Sequence, residues 1–249
     1  MDPQSTVVQN SQERSLLEAK MHRRKFLLFS GTAATAAMAL TSCDNDDDDP
    51  VTPPSNNTVN LGSGDVGILN YAYALEQLEA AFYTQVVANG SFATIFNANE
   101  QEYLKDVRDH EVAHREFFKA AITAAAPTQI IPALSVNFSA INFADRTSVL
   151  NTARTFEDLG VAAYNGAGKL LVSATFLLLA GKIVSVEARH AALIRDLISN
   201  GSFSDLTSLS AFGANNTNGL DGALNPSQVL PLAQPFIVQT ISGSNLPTS

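Results

Sequence analysis

The sequence predicts an all-α fold, a four-helix bundle with a long crossover between its second and third helices. Apolar residues recur at helical spacing over four segments, about residues 66–87, 99–125, 146–171 and 174–198. Residues 127–145 separate the second segment from the third and show no helical period. Because a simple up-down bundle needs only short connections, this long one indicates a crossover that brings the third helix parallel to the second.

Residues typical of helix ends mark several of these boundaries. Asn99 is a suitable N-cap for the second helix, and Pro127 ends that helix. Asn-Gly pairs at 89–90 and 200–201 predict the ends of the first and fourth helices.

The rest of the chain divides into a leader, a linker and a tail. We expect an export and lipoprotein signal over residues 1–43 and an acidic, Pro-rich disordered linker over residues 44–64. The bundle is expected over residues 65–200, followed by an irregular tail, residues 201–249, that packs on it. Not all of the 249 residues therefore belong to a fold, and the remainder predicts one compact domain.

The leader carries two signals for export. Arg23 and Arg24 precede a moderately apolar run, as in a twin-arginine export signal, although paired arginines also occur in ordinary signals. The run ends in Leu-Thr-Ser-Cys, which resembles a lipobox, and its Cys43 is the chain's one cysteine. We therefore expect a lipid on Cys43 to anchor the protein in the membrane of the cell envelope.

Two points about the leader stay open. The signal is complete from Met21, so the true start is either Met1 or Met21. The acidic run Asp44–Asp49, which includes Asn45, is either a surface-export signal or a solvated spacer. The expected location is therefore the cell envelope, on its periplasmic face or at the cell surface.

Composition excludes several classes of protein. The formal net charge of −9 argues against nucleic acid as a partner, because phosphates need a basic surface. All three methionines precede Cys43, so the mature chain has none to ligate a haem, and we expect no haem. The absence of a Cys-x-x-Cys pair excludes a rubredoxin-type iron centre.

A Glu-x-x-His motif occurs twice, as Glu111 with His114 and as Glu187 with His190. Residues at i and i+3 share a helix face, so each motif offers a carboxylate and an imidazole to the same point. A single motif is common on solvated helices. Two of them on helices with an apolar stripe predict a metal site inside the bundle.

Each motif follows a helix with a lone glutamate. In the second half this is Glu157, and in the first half it is Glu76 or Glu79. Tyr83 follows Glu76 by seven residues, as Tyr164 follows Glu157, which favours Glu76. Seven residues are about two helical turns, so each Tyr is expected to lie over its own Glu. The two halves therefore look like a duplicated helical hairpin.

The predicted ligand set holds two metal ions, iron or manganese, between four helices. Glu79, Tyr83, Tyr164 and His110 are candidates for an additional ligand or for a hydrogen-bond partner of the ligands. The predicted ligands are Glu76, Glu111, His114, Glu157, Glu187 and His190.

Four sequence segments together are typical of a known family. They are Leu75–Tyr83, His110–His114, Phe156–Gly160 and Val186–Ala192. These segments resemble the bacterial ferritin-like domain proteins often labelled desiccation-related. The resemblance covers about residues 65–200, and a tail segment, residues 226–237, is also similar. It implies a ferritin-like four-helix bundle but little about activity, because many members have no assigned reaction.

Two functions of different classes follow from this pattern. The first is an oxidoreductase whose substrate is ferrous iron, peroxide or another small oxidant. The alternative is a non-catalytic lipoprotein that sequesters metal or protects against stress such as desiccation. The sequence does not choose between iron and manganese, does not establish catalysis, and leaves a homo-oligomer open.

Overall fold

The computed structural model describes residues 57–248. The leader residues Arg23, Arg24 and Cys43 lie outside this range. Within it, the helices are α1 (Gly64–Ala88), α2 (Phe92–Ile95), α3 (Ala98–Ala125), α4 (Arg146–Gly168), α5 (Ala174–Ile198) and α6 (Pro226–Ala233). The strands are β1 (Thr58–Asn60) and β2 (Thr240–Ser242), and short 3-10 helices span Ser202–Ser204, Thr207–Phe212 and Gln234–Phe236. In residues 57–248 we find no helix with the length and apolar character needed to span a membrane.

The four long helices form two hairpins that pack on each other. Helix α1 packs on α3, and α4 packs on α5. Further contacts between α1 and α4, and between α3 and α5, join the hairpins. Residues 126–145, which contain no helix, connect α3 to α4. The predicted all-α helical bundle is confirmed.

Helix α1 is buried on most of its surface because the crossover and the tail cover the side that faces away from the bundle. Its buried Asn70 donates to the carbonyl of Gln129 at 2.8 Å and accepts from the amide of Ile131 at 3.2 Å. Gln77 accepts from the amide of Leu134 at 2.8 Å. These side chains satisfy backbone groups of the crossover and hold it along α1.

Two helix boundaries differ from the sequence-based expectation. Helix α3 begins after Asn97, not Asn99: the Asn97 side chain accepts from the amide of Glu100, whose side chain accepts in return from the amide of Asn97. Helix α4 ends at Gly168 rather than near residue 171. The Asp65 carboxylate accepts from the amides of Val172 and Ser173, both at 2.8 Å, and so fixes the turn before α5.

Residues 57–64 look like part of the linker in the sequence, but in the structure they belong to the fold. Strand β1 pairs in parallel with β2, with Val59 opposite Ile241. The segment is rich in Asn, Ser and Gly, residues that are typical of loops, and it nevertheless contains a strand of three residues. Its partner is far away in sequence, which local patterns do not show.

The tail packs closely on the bundle. At Gly166 of α4 an added Cβ would overlap the carbonyl of Leu224, whose amide donates to the carbonyl of Ala162 at 2.9 Å. A buried ion pair joins Arg195 of α5 to Asp158 of α4 at 2.7 Å, and Arg195 also donates to Ser208 of the tail. Tail side chains that join the core include Leu224, Val229, Ala233, Ile237, Ile241 and Leu246.

Candidate metal centre

The structure brings all six predicted ligands together at the middle of the four long helices. Ligand atoms of Glu76, Glu111, His114 and Glu187 lie within 4.8 Å of one another, and so do those of the second group. That second group contains Glu111, Glu157, Glu187 and His190. Glu111 and Glu187 therefore belong to both groups. The other four residues divide into one Glu and one His for each group.

The cluster is removed from solvent. The side chains of Glu76, Glu111, Glu157 and Glu187 have no exposed surface. The side chain of His114 is 12% exposed, which makes it the least buried member of the cluster. Four carboxylates in such a place are costly unless cations neutralise them, because burial removes the water that stabilises their charge.

Many polar atoms in the cluster lack a hydrogen-bond partner within the described residues. Both oxygens of Glu111 and of Glu187 are in this state, and so is the Nδ1 atom of His190. Such atoms are rare in folded proteins and call for a specific explanation. A bound cation is one, since it would satisfy inward-facing oxygen and nitrogen lone pairs together.

The imidazoles of one hairpin approach the shared carboxylates of the other. His114 Nδ1 lies 2.8 Å from Glu187 Oε1, and His190 Nδ1 lies 2.7 Å from Glu111 Oε1. Although these distances are short, neither Nδ1 atom has hydrogen-bond geometry toward its neighbour. This arrangement is expected of atoms that converge on a shared point rather than on each other.

The two tyrosines connect the hairpins. Tyr83 donates to Glu157 Oε1 at 2.6 Å, and Tyr164 donates to Glu76 Oε1. The sequence-based expectation that each Tyr lies over its own Glu is wrong. The equal spacing within each repeat suggests a contact inside one helix, whereas the packing of the two similar hairpins pairs each Tyr with the glutamate of the other hairpin. Both hydroxyls therefore orient carboxylates of the cluster.

Glu79 lies beside the cluster but outside both ligand groups. The structure places Glu76 among the grouped atoms, while Glu79 is buried with its Oε2 atom unpartnered among the described residues. A Cβ added to Gly160 would lie 3.0 Å from Glu79 Oε1 and 3.5 Å from Glu187 Oε2. Gly160 occupies the position in the second repeat that corresponds to Glu79. The absence of a side chain there leaves room for the Glu79 carboxylate.

His110 contacts the cluster from outside. Its Nδ1 atom lies 2.9 Å from His190 Nε2, and the two rings stack with centroids 5.2 Å apart. His110 itself is exposed. It is therefore a neighbour of a candidate ligand and not a member of either ligand group.

Burial dominates the electrostatics of the carboxylates. It raises the pKa of Glu76 to about 7, and it raises the pKa values of Glu79 and Glu187 well above the ordinary value. Glu111 differs because its contacts with both imidazoles outweigh burial and lower its pKa to about 2. Without a metal ion, the cluster therefore favours protons on several of its carboxylates.

The imidazoles show the opposite balance. Burial alone would lower the pKa of His114, but contacts with Glu111, Glu187 and Glu76 raise it to about 12. The same competition raises the pKa of His190 to about 11. Protons on the two rings thus offset part of the carboxylate charge in the metal-free chain. Divalent cations would take over that role.

The donor set fits a divalent metal of the first transition row. Carboxylate oxygens and imidazole nitrogens suit iron and manganese, and thiolates, which would favour zinc or copper, are missing from both groups. The buried glutamate and histidine cluster could therefore hold a metal ion.

Comparison with known proteins agrees with this arrangement. Residues 64–200, more than half of the chain, match the family model described as a ferritin-like domain. No curated protein shows a significant match to the chain.

Proposed function

The chain belongs to the ferritin-like domain family, and on that premise we propose that its buried cluster binds a dinuclear iron or manganese centre. The observation that supports two ions is the overlap of the two ligand groups in Glu111 and Glu187. The four grouped carboxylates carry four negative charges when ionised, which two divalent cations balance with both imidazoles neutral. A single divalent ion would leave two buried charges uncompensated.

The ligands would have two kinds of role. Glu111 and Glu187 would contribute to both metal positions, because their atoms belong to both groups. Glu76 with His114 would complete one position, and Glu157 with His190 would complete the other. Each tyrosine hydroxyl binds the Oε1 atom of one lone glutamate, Glu157 or Glu76. The Oε2 atom of each glutamate would then face a metal position.

We propose that the centre oxidises ferrous iron or removes peroxide. Two adjacent iron or manganese ions would supply a pair of electrons to a small oxidant. The surrounding protein keeps bulk water from the four grouped carboxylates, which are fully buried. His114 is partly exposed and marks the side from which a small molecule would reach the cluster. The limited exposure favours a small substrate over a large organic one.

A non-catalytic role is the alternative. The complete burial of the four grouped carboxylates favours a closed centre that sequesters metal or stabilises a stress-protective lipoprotein. In both cases the leader supports export and anchoring in the cell envelope through a lipid on Cys43, after a signal that contains Arg23 and Arg24. The anchored protein would face the periplasm or the cell surface.

Metal analysis of the purified full chain tests the centre. We expect about two iron or manganese ions per chain, and we expect Glu111→Gln with Glu187→Gln to abolish binding because both positions share these residues. Glu102→Gln is the matched control: it removes an exposed α3 carboxylate that pairs with Lys105. A folded wild-type chain that binds no metal would contradict the proposal.

Turnover assays separate the two functions. The loaded chain is given hydrogen peroxide in one experiment and ferrous iron under air in another. Loss of peroxide or formation of ferric iron, absent in the double variant, supports an oxidoreductase. Two bound ions with no turnover of either substrate would support sequestration.

A further inference from the structure

The two repeats differ directly beside their Glu-x-x-His motifs. The residue before Glu111 is His110, whereas the residue before Glu187 is Val186. The tyrosines and the imidazoles of each hairpin contact residues of the other hairpin, and the same holds for His110. His110 of the first hairpin reaches His190 of the second.

Both ring nitrogen atoms of His190 have a polar neighbour. Its Nδ1 atom faces the cluster, 2.7 Å from Glu111 and 3.5 Å from Glu157, while its Nε2 atom lies 2.9 Å from Nδ1 of His110. The nearly parallel stacking of the two rings, 13° apart, further restricts rotation of the His190 ring. The contact therefore selects one ring orientation.

His114 lacks the corresponding restraint. Its Nδ1 atom faces the cluster in the same way, 2.8 Å from Glu187. Within residues 57–248 the polar contacts of His114 are made through Nδ1 and none through Nε2, and position 186 carries an aliphatic side chain that cannot accept a hydrogen bond. Among these residues the ring of His114 therefore has no outer partner.

We propose that His110 is a positioning residue that holds His190 and thereby makes the metal position at Glu157 and His190 the tighter of the two. This inference rests on the proposed dinuclear site. A metal-bound Nδ1 carries no proton, so the His190 proton sits on Nε2 and is donated to Nδ1 of His110. Such an outer hydrogen bond fixes the tautomer and makes the ligand more basic, and its loss typically weakens metal affinity by about 10–100-fold.

Unequal positions imply ordered loading. The first ion fills the position at His190, and the second ion enters the position at His114, which is also the more exposed. The second ion is the one that exchanges readily. The chain thus combines a retained ion with an exchangeable one.

Titration of the metal-free full chain with Co²⁺ tests the inference without any assay of activity. Visible absorption of the bound ion and calorimetry are followed together. We expect two steps for the wild-type chain. We expect His110→Ala to weaken the tighter step by about 10–100-fold and to leave the weaker step unchanged. His110→Gln keeps an acceptor and should restore part of the affinity.

Two further variants complete the design. Asp109→Ala removes the neighbouring exposed side chain, which pairs with Arg108, and should change neither step. Val186→His places an imidazole at the matching position of the other repeat and should narrow the gap between the two steps. If the difference in affinity between the two steps stays the same in Val186→His, the claim that residues 110 and 186 make the two metal positions unequal is wrong.

The remaining outcomes separate this inference from the proposed function. Two equal steps in the wild-type chain, or a tighter step that His110→Ala leaves unchanged, overturn the inference while the dinuclear site stands. Equal weakening of both steps by His110→Ala also overturns it, since that result indicates general damage. A wild-type chain that binds no metal overturns the proposed function and this inference with it.

Discussion

At the scale of single residues, the hydroxyls of Tyr83 and Tyr164 act as links between the two hairpins. Each donates to a buried carboxylate on the other hairpin. A hydrogen bond to a charged group contributes about 1.5–3 kcal/mol, and loss of the donor leaves a buried carboxylate oxygen without a partner. The links therefore stabilise the bundle and orient Glu157 and Glu76.

We expect Tyr83→Phe and Tyr164→Phe each to lower the free energy of unfolding by about 1–3 kcal/mol. Tyr71→Phe is the matched control, because Tyr71 is equally buried on α1 but its hydroxyl has no partner within the described residues. That change should be neutral or stabilising. Urea denaturation of the metal-free chains measures the free energy of unfolding of all three variants. Equal losses for the changes at positions 71 and 83 would contradict a stabilising role of the Tyr83 hydroxyl.

The sequence could identify the site residues but not their pairing. Spacing of three residues placed Glu111 beside His114 on one helix face, which depends on helix geometry alone. The contact of Tyr83 with Glu157 depends on how two hairpins pack, as does the stacking of His110 on His190. Such contacts link residues far apart in sequence, and no local pattern encodes them.

At the scale of helices and turns, a short side chain can decide where a helix begins. Asn97 and Glu100 satisfy each other's backbone amides at the start of α3, and Glu100 also accepts from Arg146 at 2.6 Å. Asn99 precedes the acidic residue Glu100 and therefore looks like the cap in the sequence. The reciprocal spacing of Asn97 and Glu100 was the available signal.

We expect Asn97→Ala to destabilise the chain by about 1 kcal/mol, since it leaves amides at the start of α3 without a partner. Asn99→Ala should cost nothing, because Asn99 is exposed inside the helix, where Ala is the better helix former. Thermal unfolding of the two variants compares these positions directly. A larger loss at Asn99 would show that the cap lies elsewhere.

The contact of the tail with α4 depends on a glycine. We expect Gly166→Ala to destabilise the chain by about 1–3 kcal/mol, because the added Cβ would overlap the Leu224 backbone. Gly168→Ala serves as control, since its Cβ would meet only Leu177 Cδ1 at 3.6 Å, an ordinary contact. Limited proteolysis should cleave the tail of the Gly166 variant faster than that of the control. Equal cleavage would indicate that the tail does not rely on this close approach.

At the scale of the whole molecule, the fold gathers more negative charge than its core can hold without a counter-charge. The four long helices followed from apolar periodicity and were predictable, because each helix carries its own pattern. The route of the tail and the strand pair were not, because they depend on contacts between distant segments. The energetic cost of burying the carboxylates likewise arises only when the four helices have packed together.

The metal-free chain should lose stability as pH rises from about 4.5 to 7. Burial raises the folded-state pKa of Glu76 to about 7, so its stability contribution is present below the unfolded value of 4.5 and lost as pH rises through 7. Glu79 and Glu187 shift in the same direction. The raised pKa of His114 also confers stability that is lost at still higher pH, and the lowered pKa of Glu111 matters only below 4.5.

Thermal unfolding of the full chain at several pH values, with a chelator and with Mn²⁺, measures this dependence. We expect the Tm of the metal-free chain to fall between pH 5 and 7.5, and the increase in Tm caused by Mn²⁺ to grow, because ionised carboxylates bind the metal without proton release. Glu79→Gln should flatten the metal-free curve, since the amide never ionises, whereas Glu102→Gln at the exposed end of α3 should not. A metal-free Tm that stays constant or rises over this range would mean that the buried carboxylates are stabilised by the protein itself, and the charge argument for two ions would fail.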